Sequence, residues 1–111
     1  MSKAIVINSD SMGEGSRELG QKLLGAFLRK LWAADEKPDS IVFYNAGVKL
    51  LAKGSTVLDV LDGLSDSGVD LLACGTCVDY YQLKDEIVVG RVSNMEEISA
   101  LFLQSASVIT I

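Results

Sequence analysis

Short aliphatic runs alternate with amphipathic stretches along the whole chain. Lys3-Ala-Ile-Val-Ile-Asn8 is a β-branched run that predicts a buried strand. Ser9 to Gly15, with two glycines, predicts a loop. Leu19, Leu23, Leu24, Phe27, Leu28 and Leu31 then recur at helical spacing, which predicts one long amphipathic helix over 16–34. Asp35 to Asp39 ends it, because Pro38 disfavours helix in the residue before it.

The same alternation continues. Ser40-Ile-Val-Phe-Tyr44 predicts a second strand, and Val48 to Lys53 a short helical turn. Ser55 is placed to cap a helix carrying Val57, Leu58, Val60, Leu61 and Leu64, which stops at Ser67-Gly68. Val69 to Ala73 reads as a third strand, Cys74 to Cys77 as a turn, and Val78 to Leu83 as a short helix. A fourth strand is expected within 87–92, and Asn94 is placed to cap a helix reaching about Gln104. Ser107 to Ile111 reads as a fifth strand.

Strand and helix in strict alternation mean parallel βαβ units with right-handed crossovers. The expected class is therefore α/β: a five-stranded parallel sheet flanked by helices, in the flavodoxin-like order 2-1-3-4-5. One domain over residues 1–111 accommodates it, with no internal repeat, linker or low-complexity segment.

Composition narrows the function classes. Apolar residues make up 49% of the chain, enough for a packed core rather than disorder. No apolar run approaches the roughly 20 residues that span a bilayer. Met1-Ser2-Lys3-Ala4-Ile5 lacks the form of a secretory signal, so a cytoplasmic location is expected and a membrane association is not. The formal charge is −5 and the basic residues are scattered, so nucleic acid is a poor partner. The chain has no histidine, which removes Ser-His-Asp and Cys-His catalysis. Its two cysteines are too few for a four-ligand zinc site, and neither metal nor cofactor is expected.

In an open parallel sheet, ligands bind beyond the carboxyl ends of the strands. The predicted loops there run over 8–15, 45–48, 74–79 and 93–95, and they gather the polar and glycine-rich residues of the chain. Binding positions are expected at Asn8, Ser9, Gly13, Gly15, Asn45, Gly75, Thr76 and Asn94. The sharpest signal is Cys74-Gly75-Thr76-Cys77 at a strand-to-helix junction, where free N–H groups favour a thiolate. The bland reading is an inert thiol behind a strand; the CxxC spacing at such a junction favours chemistry.

Thioredoxin does not fit, because it needs a proline after the cysteines and the only proline is Pro38. Ser9 to Gly15 is neither a P-loop nor GxGxxG, so it is better read as a wall of the cysteine pocket than as a nucleotide site. Asp79, Tyr80 and Tyr81 follow Cys77 and are candidates either for shaping that pocket or for packing and solvation. Lys49 and Lys53 read first as a solvated face.

Asp10-Ser-Met-Gly-Glu-Gly15, Leu19-Gly20, Phe43-Tyr-Asn-Ala-Gly-Val48, Gly54-Ser55, Gly68-Val69, Cys74-Gly-Thr-Cys77, Tyr80-Tyr81, Val89-Gly90 and Asn94-Met95 run in a specific order over nearly the whole chain. This series resembles the DsrE/DsrF-like domain of the sulfurtransferase-like YedF proteins of selenium metabolism. The resemblance implies a five-stranded α/β sandwich with a persulfide-accepting cysteine ending the third strand, which by position is Cys74. Cys77 belongs to the pattern of this branch. The family implies trimers or hexamers, hence a homo-oligomer. It also implies a TusA-like sulfur carrier as donor or acceptor, in the same chain or a separate one; no TusA-like segment precedes Lys3.

The expected function is a sulfur, or selenium, carrier or sulfurtransferase-like protein. Cys74 would hold the persulfide among the N–H groups of Gly75 to Cys77, and Cys77 would release it as a disulfide forms. Two readings compete with it: a non-catalytic binding or assembly module, and a dithiol redox sensor.

Overall fold

The computed structural model describes residues 2–111. Strand β1 (Lys3–Ile7) leads through an exposed loop to helix α1 (Arg17–Ala33). Ser16 is extended and its Oγ accepts the Leu19 N–H, so a capping serine starts the helix where the apolar period begins. Strand β2 (Ser40–Phe43) is followed by a 3₁₀ segment, Asn45–Leu51, and then helix α2 (Leu58–Asp66). Strand β3 (Asp70–Cys74) runs directly into helix α3 (Gly75–Tyr80). Strand β4 (Arg91–Ser93), helix α4 (Met95–Gln104) and strand β5 (Ser107–Thr110) complete the chain.

All five strands are parallel, and helices cover both faces, as the alternation predicts. The order is β4-β3-β2-β1-β5. It keeps the flavodoxin-like reversal of direction beside β1, but β2 and β5 occupy other places than in 2-1-3-4-5. All four residues of Ser40–Phe43 are buried, so β2 lies inside the sheet between β1 and β3. The exposed strand β5 is left as an edge.

This order decides which helix lies on which face. The first three crossovers step the same way across the sheet, so right-handedness puts α1, α2 and α3 together. Leu24, Leu28, Leu61 and Leu64 pack there on Ile5, Ile7, Ile41, Phe43 and Leu71. The fourth crossover returns past the sheet and lays α4 on the opposite face. Ile98 packs there on Val42 and Cys74, with Tyr44, Leu101 and Phe102 around them. Full burial of such a side chain contributes about 1.5–3 kcal/mol.

Three local expectations are corrected. Ser55 does not cap α2: its Oγ accepts from the Val57 N–H two residues on, and the helix begins after Val57. The fourth strand is Arg91–Ser93, beyond most of the apolar run. Ile87 instead makes an isolated antiparallel bridge with Ala52, and Gly90 turns the chain at φ +78° before β4. Cys74 to Cys77 is not a free turn, because α3 starts at Gly75. The Asn94 cap is present, accepting the Glu97 N–H at 2.8 Å.

Candidate functional site

Cys74 is the last residue of β3 and the N-cap of α3, with no capping bond from its side chain. It shares the parity of Leu72, so its side chain points to the α4 face. It is 2% exposed and packs with Val42 and Ile98. Gly75 follows because the backbone runs close to β4: a Cβ there would lie 2.8 Å from the Ser93 carbonyl oxygen.

Cys77 lies one helical turn on and is half-buried. Both thiols are free. The Cys77 Sγ receives the Asn45 N–H at 3.0 Å. Asn45 is left-handed at φ +52°, uncommon outside glycine but tolerated by asparagine. Its side chain is held as well, since the Tyr81 hydroxyl donates to Asn45 Oδ1 at 2.9 Å. Lys49 Nζ sits 4.5 Å over the Tyr81 ring, and Tyr80 meets that ring edge-on at 5.2 Å. A chain of contacts thus runs from Lys49 through Tyr81 and Asn45 to the sulfur.

Burial pushes the Cys77 thiol above its ordinary value. The Asn45 N–H acts against that shift, and the hydrogen bond with Cys74 adds to it. The site therefore holds a protonated thiol at rest, with a donor already aimed at the charge that deprotonation would create.

A cavity of about 540 Å³ opens over Cys77, walled by Tyr44, Asn45, Thr76, Tyr80, Tyr81 and Met95. It lies at the carboxyl ends of β2 and β3 and the start of α4. Of the positions expected from the sequence, it brings together Asn45, Thr76 and Cys77. Gly75 and Cys74 lie behind it, and Asn94 is spent on capping α4. Asn8, Ser9, Gly13 and Gly15 do not line it. Ser9 Oγ accepts the Ser11 N–H within its own loop, and the two glycines are exposed at positive φ. Asp10 of that loop lines a second cavity of similar size with Lys49, Lys53 and Ser55. Tyr81 borders both. Tyr44, read only as the end of the second strand, and Met95, within the 93–95 loop but not among the expected binding positions, also line it.

Among the described residues no three His, Cys, Asp or Glu side chains converge as a metal site requires. Nor is any helix among them long and apolar enough to cross a membrane.

Comparison with solved structures finds the same fold at low identity. The YchN protein from E. coli matches over 100% of both chains, with 18% identity and a TM-score of 0.71. MTH1491 from Methanobacterium thermoautotrophicum matches over 100% of both chains, with 20% identity and a TM-score of 0.73. BT1422 from Bacteroides thetaiotaomicron matches over 99% of this chain and 95% of that one, with 16% identity and a TM-score of 0.65. Comparison with functionally curated proteins gives no significant match. The sequence model of one family covers residues 1–111, every strand and both cysteines included, and on that match the chain belongs to the DsrE/DsrF-like family.

Proposed function

We propose that this protein is a sulfur carrier that takes up sulfur as a persulfide on its cysteine pair and passes it to a partner. The observation that carries this reading is the pairing itself: two free thiols one helical turn apart, one buried and one opening into a cavity with an N–H on its sulfur. The association of DsrE-like proteins with sulfur relay supports it. Uptake is redox-neutral. A cysteine thiolate attacks the terminal sulfur of a donor persulfide, a new S–S bond forms, and the donor leaves as a thiolate. Delivery is the same reaction run onto an acceptor thiol, and selenium fits the same steps as cargo.

The proposed donor or acceptor is a TusA-like carrier, working in the cytoplasm. The aromatic walls of the cavity, with Tyr80 and Met95 exposed at its rim, suit a protein-borne sulfur with apolar flanks. Self-association is proposed with it, through the edge strand β5 and the exposed Leu19, Leu23 and Ile109.

The test is intact mass after incubation with a cysteine desulfurase and cysteine. The expected result is a gain of about 32 Da, one sulfur, reversed by a thiol acceptor. A loss of about 2 Da under mild oxidant with no sulfur uptake would instead favour a dithiol redox sensor. No mass change with accessible thiols would leave a binding module.

A further inference from the structure

The two thiols of the pair are not equivalent. A donor must bring its sulfur into line with the attacking thiolate, which requires open space in front of that sulfur. Cys74 has none: it is 2% exposed, with Val42 beneath it and Ile98 of α4 against it. Cys77 has that space, because it forms part of the cavity wall. It also receives a backbone donor, the Asn45 N–H at 3.0 Å. A hydrogen bond to a charged acceptor is roughly twice as strong as a neutral one, so this contact strengthens when Cys77 becomes a thiolate or its persulfide an anion. Asn45 is held for that contact, with its left-handed backbone pinned by the Tyr81 hydroxyl and Tyr81 in turn beneath Lys49.

We propose that Cys77 is the sulfur that exchanges with donor and acceptor, and that Cys74 is the resolving thiol behind it, the reverse of the roles that the family resemblance implies. The assignment rests on the carrier reading above. Asn45 is then a positioning residue, acting through its N–H.

The release step follows from the placement. With sulfur loaded, Cys77 carries Sγ–SH. Cys74 attacks the Cys77 Sγ, the Cys74–Cys77 disulfide forms, and the Sγ–SH bond breaks. The terminal sulfur leaves with that bond's electron pair and the Cys74 proton, as hydrogen sulfide. Two thiol sulfurs are oxidised and one sulfane sulfur is reduced, so the electrons balance, and a dithiol reductant returns the pair to its starting state. Where an acceptor thiol occupies the cavity, it takes the outer sulfur first and no disulfide forms. Burial of Cys74 makes release the slower, default branch.

The experiment maps sulfur by mass spectrometry after incubating the whole chain with sodium polysulfide. Wild type is compared with Cys77→Ser, Cys74→Ser and Cys74→Ala, the alanine variant avoiding a buried hydroxyl, with circular dichroism to confirm each fold. The expected result is sulfur on Cys77 and none taken up by Cys77→Ser. Both Cys74 variants should load and keep their sulfur, while wild type releases sulfide and ends about 2 Da lighter as the disulfide. Iodoacetamide should label native Cys77 at least about tenfold faster than Cys74, which reacts only through local opening. Sulfur mapped to Cys74, or retained by Cys77→Ser, overturns the assignment and leaves the carrier reading standing. No sulfur on any variant, with Cys77 still labelling first, overturns the carrier reading and the release step with it.

Discussion

Gly47 ties the cavity wall to the sheet, and replacing it with alanine tests whether that tie sets the site. A Cβ there would lie 2.2 Å from the Ile7 carbonyl oxygen, 3.0 Å from its carbon and 3.4 Å from the Ser9 nitrogen. All three are backbone atoms, so no side chain can swing aside. The 3₁₀ segment must move by about 1 Å to reach ordinary contact. Ile7 O also accepts the Tyr44 N–H at 3.2 Å, and the shift loosens that bond. Overpacking of this kind costs about 1–3 kcal/mol and a weakened hydrogen bond about 1 more, giving about 2–4 kcal/mol. For a domain of this size that lowers Tm by about 8–16 °C. Gly54→Ala is the control: it sits at φ +89° with nothing within 4 Å, so it meets only the left-handed penalty of about 1–2 kcal/mol. Urea and thermal unfolding followed by circular dichroism measure both. Gly47→Ala should also change the alkylation rate of Cys77, because Asn45 moves with the segment, whereas Gly54→Ala should not. Equal stabilities for the two variants, or an unchanged Cys77 rate in Gly47→Ala, would refute the reasoning.

Three further outcomes are expected. Ile98→Ala empties the contact over Cys74 and should cost about 2–5 kcal/mol in urea unfolding, with Cys74 becoming more reactive to iodoacetamide. Tyr81→Phe removes the hydroxyl bond to Asn45 and keeps the ring under Lys49; the pH profile of Cys77 alkylation should move to higher pH with the fold unchanged, and a merely structural role would leave the profile in place. Arg91, with Ser93 assisting, holds the Glu97 carboxyl down from 4.5 to about 2. A depressed carboxylate contributes stability that is present above its ordinary value and lost as pH falls from 4.5 towards 2, so Glu97→Gln should unfold with a flatter acid profile over that window in low salt.

The sequence made some of this legible, and the residues show where legibility ends. Asn94 was readable as a cap because a cap is a local event, one side chain answering an N–H three residues on. Ser55 has the same chemistry but spends it two residues on, in a turn no pattern separates from a cap. Ile87-Val-Val looked like strand by composition, yet those residues lean against the 3₁₀ segment, and Gly90 delays β4. The cysteine pair was readable from spacing. Its unequal exposure was not, because that depends on Ile98 arriving from α4 and on Asn45 arriving from beyond β2, contacts over more than twenty residues of chain. The glycine loop over 9–15 was placed at the right end of the sheet, but its Asp10, paired with Arg17, lines the second cavity rather than the one over Cys77.

Strand order joins these observations, and one glycine reports it. A Cβ on Gly63 of α2 would lie 2.4 Å from the Trp32 ring of α1, so the two helices meet face to face. Helices that touch in this way share a side of the sheet. With right-handed crossovers, that requires the steps from β1 to β2 and from β2 to β3 to run in the same direction. The order 2-1-3-4-5 reverses between those steps and would put α1 and α2 on opposite faces, leaving Gly63 nothing to accommodate. The same-direction march continues to β4, so only the return crossover to β5 can cover the second face, and α4 stands there alone. Cys74 ends β3 with its side chain on that face, while Cys77, the third residue of α3, touches the packing on both faces and lines the cavity. The cover that Ile98 places over Cys74 is therefore a consequence of topology, set by which way the chain steps across its sheet.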